Sequence, residues 1–139
     1  MFVLDTNVVS ELMKPQVEPN VELWVASHAR GSLYITTLTQ AEVLYGIAIL
    51  PKGARQQRLH ALAQAMFRED FAGRILSFDR AAARLYAVIA AHRRAKGIPV
   101  SQFDAQIAAI CRVHQAVIVT RNVDDFTHCD LNIINPWEA

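Results

Sequence analysis

The chain has few cysteines and no long apolar run. Cys111 and Cys129 are its two cysteines among 139 residues, and their spacing matches no structural zinc motif. We therefore expect reduced thiols in an intracellular protein rather than a secreted scaffold held by disulfides. The apolar opening is too short for a signal peptide, and no segment reaches the ~20 apolar residues of a membrane helix. These absences predict a cytoplasmic protein with no membrane partner.

Linkers, repeats and an excess of charge are also lacking. No Gly/Ser-rich or Pro-rich linker and no repeat divides the chain, so residues 1–139 are predicted to form a single domain. The net charge of +1 excludes a protein that binds nucleic acid through a strongly basic whole surface. A local basic patch is still compatible with this net charge. We interpret the basic cluster at 92–96 as the solvated end of a helix.

Short apolar runs alternate with longer stretches of helical periodicity. The runs predict strands at 2–4, 33–36, 74–78, 116–120 and 131–134. Helices are predicted at 8–13, 21–28, 39–49, 54–67, 79–96 and 101–113. This alternation predicts an α/β fold with a parallel sheet, right-handed crossovers and helices on both faces.

Acidic residues recur where strands give way to helices. Asp5 directly precedes a helix, which is a favoured N-cap position. Thr39-x-x-Glu42 and Ser101-x-x-Asp104 both fit the capping box, in which an acid three residues after a hydroxyl completes the cap. Each cap contributes ~1 kcal/mol to stability. Helix capping is therefore one interpretation of these acids.

A metal site is the other interpretation of the same acids. The carboxyl ends of parallel strands share one edge of the sheet, where ligands bind, and Asp5, Glu42 and Asp104 all belong there. Clustered carboxylates raise one another's pKa unless a cation offsets their repulsion. Oxygen ligands with an incomplete shell suit Mg²⁺ or Mn²⁺, which activates water for phosphodiester hydrolysis. The Thr6 hydroxyl either orients Asp5 or a metal-bound water, or caps the local backbone.

Other polar residues follow strands as well. We interpret Asp79 as an N-cap, because the third strand is expected at the edge of the sheet, away from the other acids. Asn122 follows the fourth strand and is a candidate for hydrogen bonding to a water or a phosphate. Asp124 and Asp125 either add negative charge there or solvate a turn. Cations predicted to flank the acidic mouth and contact a phosphate backbone are Arg74, Arg93, Arg94 and Arg121.

Taken in order, these motifs resemble the PIN-domain ribonucleases, and more narrowly the VapC/FitB-type toxins of bacterial toxin–antitoxin pairs. The likeness spans nearly the whole chain. The segments that carry it are Asp5-Thr6-Asn7, Glu42-Val43-Leu44-Tyr45-Gly46-Ile47, Phe71-Ala72-Gly73-Arg74-Ile75-Leu76, Asp104-Ala105-Gln106-Ile107-Ala108-Ala109, Thr120-Arg121-Asn122 and Asn135-Pro136-Trp137.

The resemblance implies a three-layer α/β/α sandwich with a five-stranded parallel sheet and a Mg²⁺- or Mn²⁺-dependent endoribonuclease. It also implies an RNA substrate, a homodimer or a larger dimer-based assembly, and a small antitoxin that blocks the acidic site. Carried onto this chain, Asp5 and Asp104 bind the metal, Glu42 completes the cluster and Thr6 supports it. The family often has a fourth acid after Thr-Arg, where this sequence has Asn122, and this leaves the second-metal arrangement open.

Two alternatives remain open. Asn122 favours a PIN-like module that binds nucleic acid or protein without cutting it. A nuclease directed at DNA is the other, because a metal-activated water does not require a ribose 2′-hydroxyl.

Overall fold

Five short parallel strands form the centre of the molecule. The computed structural model describes all 139 residues. The strands are β1 (Phe2–Leu4), β2 (Leu33–Thr36), β3 (Ile75–Leu76), β4 (Val117–Val119) and β5 (Ile133–Ile134), and they lie in the order β3-β2-β1-β4-β5. All four pairings are parallel, with Val3 of β1 opposite Tyr34 and Ile118. The predicted five-stranded parallel sheet is therefore confirmed.

Six helices connect and cover these strands. They are α1 (Thr6–Leu12), α2 (Pro19–Ala26), α3 (Thr37–Ala48), α4 (Ala54–Ala65), α5 (Arg80–Ala95) and α6 (Gln102–Val113). Short 3₁₀ turns lie at Arg30–Ser32 and Val123–Phe126, and α4 ends in a π-helical turn at Met66–Asp70. None of the helices combines the length and the apolar character needed to cross a bilayer.

Two apolar cores lie on opposite faces of the sheet, because successive side chains of a strand point to opposite sides. Leu4 packs in a core with residues of α1 to α4, whereas its neighbour Val3 packs in a second core with α5 and α6. The near-continuous apolar runs of β1 and β4 reflect this burial on both faces. The result is the three-layer α/β/α arrangement that was predicted.

Several predicted boundaries differ from the structure, and two of the differences have a clear physical reason. The third strand is shorter than expected, because Ile75 and Leu76 lie at the edge of the sheet and pair with β2 alone. Helix α3 begins at Thr37 rather than Thr39, because the hydroxyl of Thr36 accepts the N–H of Thr39 at 3.2 Å and caps the helix directly after β2. The helix therefore follows its strand without a loop.

Candidate active site

Four elements bring polar side chains to the carboxyl edge of the sheet. Asp5 and Thr6 follow β1, Glu42 lies on α3, Asp104 lies in the first turn of α6, and Asn122 follows β4. All five line one cavity of about 470 Å³. Its other lining residues are Asn7, Ser101, Gln102 and Phe103. The structure thus brings together all five residues that were predicted from the sequence to form the site.

Asp5 is the most buried of the acids, with 4% of its surface exposed. Its carboxylate accepts hydrogen bonds from the Thr6 backbone N–H and the Thr120 hydroxyl, both at 2.8 Å. The side-chain amide of Asn7 lies 3.3 Å from the carboxylate of Asp5 and 3.2 Å from the Thr120 hydroxyl. Asp5 is therefore a helix cap and a cavity carboxylate at once.

Thr120 is a site residue that the sequence argument missed. It follows Val119, which pairs with Leu4, so the register of β1 and β4 places Thr120 beside Asp5. The signal in the sequence was a polar residue at the end of an apolar run. Only the pairing of strands that lie far apart in the chain shows which acid it serves.

Within the chain, the Thr6 side chain has a different partner from the Asp5 carboxylate that was considered for it. Its hydroxyl donates to Glu42 Oε1 at 2.9 Å and lies 3.1 Å from the Thr39 hydroxyl. It orients neither Asp5 nor the local backbone, because the Thr6 N–H and Thr120 already hold Asp5 while the first residue of α1 faces α3. Thr6 therefore links the first and second acids of the cavity.

The two predicted capping boxes have different outcomes. The box from Thr39 to Glu42 is wrong, since α3 begins two residues earlier and the carboxylate of Glu42 meets Thr6 instead. Ser101 does cap α6, because its hydroxyl accepts the backbone N–H of Asp104 at 3.2 Å. The cap uses the N–H of Asp104, so its carboxylate remains available to the cavity.

Asp79 is an N-cap, as predicted. Its carboxylate accepts the backbone N–H of Ala82 at 2.9 Å. The preceding strand, β3, is at the edge of the sheet, separated from β1 by β2. The fourth junctional acid therefore takes no part in the cavity.

The electrostatics of the cavity disfavour three ionised carboxylates. Burial is the main cause that raises the pKa of Asp5, Glu42 and Asp104 above their ordinary values. Mutual repulsion adds to it: Asp5 raises the pKa of Asp104, and Asp104 that of Glu42. Asp125, in the 3₁₀ turn beyond Asn122, raises the pKa of both Asp5 and Asp104. The cavity is therefore a place where positive charge is favourable.

No basic side chain forms an ion pair with these acids, and the charge of Arg93, which lowers the pKa of Asp104, is the smallest of the influences on that pKa. The two ion pairs of the molecule join Lys14 to Glu11 and Arg112 to Asp130. No three His, Cys, Asp or Glu side chains are arranged so that they alone could hold a metal ion. Such a site still suits Mg²⁺ or Mn²⁺, which keep several waters and bind through one or two carboxylates. The uncompensated carboxylates of the cavity fit a hydrated divalent cation.

Two of the four cations predicted to flank the mouth have internal partners. Arg93 is 5% exposed and donates to the carbonyl oxygens of Ile98, Asp124 and Thr127 at 2.8, 3.1 and 2.9 Å. The Arg74 guanidinium donates to the carbonyls of Arg30, Leu33 and Asp70. Both therefore stabilise backbone structure, and the expectation that they face a phosphate backbone is wrong. The side chain of Arg94 is exposed and belongs to no ion pair, while Arg121 adjoins Asn122.

Substituting Thr6 by Val removes the hydroxyl while preserving the shape of the side chain. Because a hydrogen bond to the charged form lowers a pKa, we expect the pKa of Glu42 to rise further. We also expect Mn²⁺ affinity to fall by roughly 10-fold, the lower end of the effect of losing a supporting partner. Isothermal titration calorimetry measures this change. The matched control is Thr37→Val, at a threonine of α3 that does not line the cavity. Equal losses in both variants would contradict the assigned contact.

Comparison with known proteins identifies the family. The family model described as the PIN domain matches residues 2–130. The chain is similar to the plasmid stability protein StbB of Pseudomonas syringae pv. tomato, at 40% identity over the full length of both chains. It is also similar to the toxin FitB of Neisseria gonorrhoeae (35%) and the VapC ribonuclease Y4jK of Sinorhizobium fredii (36%), over 99% of each chain in both cases.

Solved structures agree with this assignment. The structure of FitAB bound to an IR36 DNA fragment contains a chain with a TM-score of 0.93 at 35% identity, covering 99% of this chain and 96% of that one. FitAcB from Neisseria gonorrhoeae gives a TM-score of 0.89 at 32% identity over the whole of both chains. The acidic cavity, the parallel sheet and these likenesses lead to one conclusion: the chain belongs to the PIN-domain family, and within it to the group that contains the FitB and VapC proteins.

Proposed function

We propose that the chain is a divalent-metal-dependent endoribonuclease and the toxin of a type II toxin–antitoxin module. The observation that carries this proposal is the meeting of Asp5, Glu42 and Asp104 in one cavity without a basic partner. Similarity to proteins named VapC ribonuclease and toxin FitB, at 36% and 35% identity, supports the activity and the biological role. Residues 1–139 act as a single domain, and the protein works in the cytoplasm.

Each residue of the cavity has a distinct role in this proposal. Asp5 and Asp104 hold Mg²⁺ or Mn²⁺, which when bound polarises a phosphoryl oxygen and supplies a more acidic water. Asp5 is fixed for this by Thr120 and the Thr6 N–H. Glu42, held by the Thr6 hydroxyl and with a raised pKa, is placed to accept a proton from the attacking water. Asn122 donates its amide to a phosphate oxygen at the rim of the cavity.

The proposed partners are an RNA substrate, a small antitoxin that blocks the acidic site, and a second copy of the chain. The antitoxin and the assembly are carried over from the relatives, whose solved structures include FitAB and FitAcB. Exposed apolar side chains support a protein partner: Tyr45 on α3 and Ile49, the C-cap of that helix, are 68% and 65% exposed. Leu23 on α2 is 71% exposed. Burying exposed apolar side chains of this size against a partner removes their surface from water, which is favourable.

One feature favours a second candidate, a module that binds nucleic acid or protein without cutting. Asn122 stands where related sequences often have an acid, and a neutral amide attracts a second metal less strongly than a carboxylate. The two candidates differ in metal binding, since an inert module has no need of Mg²⁺ or Mn²⁺ at millimolar concentrations.

A cleavage assay tests the proposal. The protein is incubated with matched single-stranded RNA and DNA oligonucleotides in Mg²⁺, in Mn²⁺ and in EDTA. We expect RNA cleavage with either metal and none in EDTA. Cleavage of DNA alone would show a DNA-directed nuclease. Absence of cleavage, together with no heat of Mn²⁺ binding in calorimetry, would favour the inert module.

The pH dependence of stability is a further expected outcome. A carboxyl whose native pKa is raised binds more protons in the folded state, so its contribution to the unfolding free energy falls as pH rises above its ordinary value of about 4. Asp5, Glu42 and Asp104 all act in this direction. Glu11 has the opposite effect, because hydrogen bonds from Lys14 and Glu18 lower its pKa. The stability that Glu11 contributes is lost only as pH falls below its ordinary pKa.

We therefore expect the protein in EDTA to become less stable between about pH 4 and neutrality, and Mn²⁺ to restore stability near neutrality. Thermal denaturation monitored by circular dichroism measures both effects. Asp104→Asn is the control, because it removes one repelling charge and should flatten the dependence. Stability in EDTA that rises across this range would contradict the assignment of raised pKa values.

A further inference from the structure

Arg121 is the one cation predicted at the mouth that is both beside the acidic cavity and free to bind. Its backbone N–H donates to Asn7 Oδ1 at 3.2 Å, and Asn7 also contacts Asp5. The Arg121 side chain is exposed and belongs to neither ion pair of the molecule. The backbone at Arg121 is therefore tied to the site. Its guanidinium has no hydrogen-bond acceptor within the chain and forms no ion pair, and its charge acts only on Glu11, whose pKa it lowers.

The ring of Trp137 lies next to this guanidinium. The guanidinium carbon of Arg121 lies 5.0 Å from the centroid of the Trp137 ring. The backbone around Trp137 is held in turn, since its carbonyl accepts from Asn20 at 2.8 Å and its N–H donates to Asn135 Oδ1 at 3.0 Å. The ring also packs against the core on the side of α1 to α4. The guanidinium of Arg121 therefore lies within cation–π distance of an anchored aromatic ring, while its side chain is exposed to solvent.

A second cleft begins where the acidic cavity ends. It has a volume of about 510 Å³ and is lined by Arg121, Asn122, Val123, Asp124, Asp125, Asn135 and Glu138. Asn122 lines both this cleft and the acidic cavity, so the two spaces adjoin. A chain that passes through one can continue into the other.

We propose that this second cleft binds the nucleotide next to the scissile phosphate, an inference that rests on the proposed ribonuclease function. The exposed guanidinium of Arg121 donates to a phosphate of the strand, and the base stacks against it. The side chains of Asp124, Asp125 and Glu138 accept hydrogen bonds from base amino groups, as carboxylates do with cytosine. The cleft therefore favours nucleotides whose bases carry an exocyclic amino group.

An RNA strand explains this cleft better than a cationic peptide does. Three carboxylates line the cleft, yet none forms an ion pair with Arg121, which is the only basic residue there. A peptide rich in Arg would be repelled by Arg121 at the point where the cleft meets the cavity. A nucleotide instead offers acceptors to the guanidinium and donors to the acids.

Binding of a short single-stranded RNA of mixed sequence tests the proposal. Fluorescence anisotropy in EDTA, which stops metal-dependent cleavage, is recorded over a range of salt concentrations for Arg121→Gln, Arg121→Lys and the wild type. We expect Arg121→Gln to bind about tenfold more weakly and to reduce the slope of log K against log salt by about 0.7, the value for one phosphate of a single strand. Arg121→Lys should keep the slope but lose part of the affinity, because an ammonium is not planar.

The controls distinguish binding at this subsite from a general electrostatic attraction between RNA and the basic side chains of the protein. Arg94→Gln removes an exposed cation of equal charge and should bind RNA as the wild type does. Mn²⁺ affinity and the thermal midpoint of Arg121→Gln should be unchanged, and in cleavage KM should rise about tenfold with little change in kcat. Equal losses in Arg94→Gln and Arg121→Gln would overturn the proposal. So would unchanged RNA binding by Arg121→Gln combined with tighter binding of an oligoarginine peptide.

Failure of this inference is distinguishable from failure of the proposed function. Cleavage whose KM does not depend on Arg121 would remove the subsite and leave the nuclease. RNA binding that depends on Arg121, in a wild-type protein that cuts nothing in Mg²⁺ or Mn²⁺, would support the subsite and remove the nuclease.

Discussion

Substituting Asp104 by Asn is expected to reduce metal-dependent RNA cleavage by about 1000-fold, equivalent to ~4 kcal/mol of transition-state stabilisation. Asn has nearly the same shape, and the backbone N–H of residue 104 still donates to Ser101, so α6 keeps its cap. The loss follows from removing one of the two charges proposed to hold the metal. Single-turnover cleavage rates and Mn²⁺ calorimetry measure it.

The same variant should unfold at a higher temperature in EDTA. Burial and the charge of Asp5 raise the pKa of Asp104, so its ionised form is unfavourable near neutrality. Asp104 is partly exposed and solvent screens its charge, so relief of that repulsion is expected to stabilise by less than about 1 kcal/mol and to raise the midpoint by at most a few degrees. A variant with lower activity and higher stability identifies a site residue. Replacing an acid with a purely structural role would instead lower both the activity and the stability of the protein.

Asp79→Asn is the matched control for this experiment. Asp79 caps α5 from the edge of the sheet, and Asn is an equally good N-cap. Its activity and midpoint should stay close to those of the wild type. Cleavage by Asp104→Asn at the rate of Asp79→Asn would refute the role assigned to Asp104.

Substituting Arg93 by Met is expected to lower the unfolding free energy by about 3–5 kcal/mol. Three backbone carbonyls, those of Ile98, Asp124 and Thr127, would lose their buried donor, and each such loss costs roughly 1–3 kcal/mol. The midpoint should fall by about 15 °C. Urea denaturation, analysed at constant m-value, measures the change in free energy.

The neighbouring residue supplies the control. Arg94→Met removes an exposed cation from the same helix and should change the unfolding free energy by less than about 0.5 kcal/mol. If Arg93→Met kept its stability and lost affinity for RNA, the original expectation of a phosphate contact would be restored. The expected pattern is the reverse, with stability lost in Arg93→Met alone.

The edge strand β3 shows what a local sequence pattern can and cannot predict. Asp79 and Asp5 occupy the same kind of junction, and no spacing rule separates them. The prediction that Asp79 only caps its helix depended on the position of β3, which the structure places at the sheet edge. Strand order depends on contacts between distant segments, so the pattern around either acid carried no direct information about it.

The amino-acid sequence by itself determined the parallel sheet, its helices and the edge where the acids meet. Apolar periodicity and helix caps depend on residues a few positions apart, so they can be predicted from the sequence. Only the tertiary structure decided that Thr120 holds Asp5, that Thr6 serves Glu42, and that Arg93 is internal. Those contacts join residues 31 or more positions apart, except that of Arg93 with Ile98. Their partners are set by strand register and packing, which no local pattern specifies.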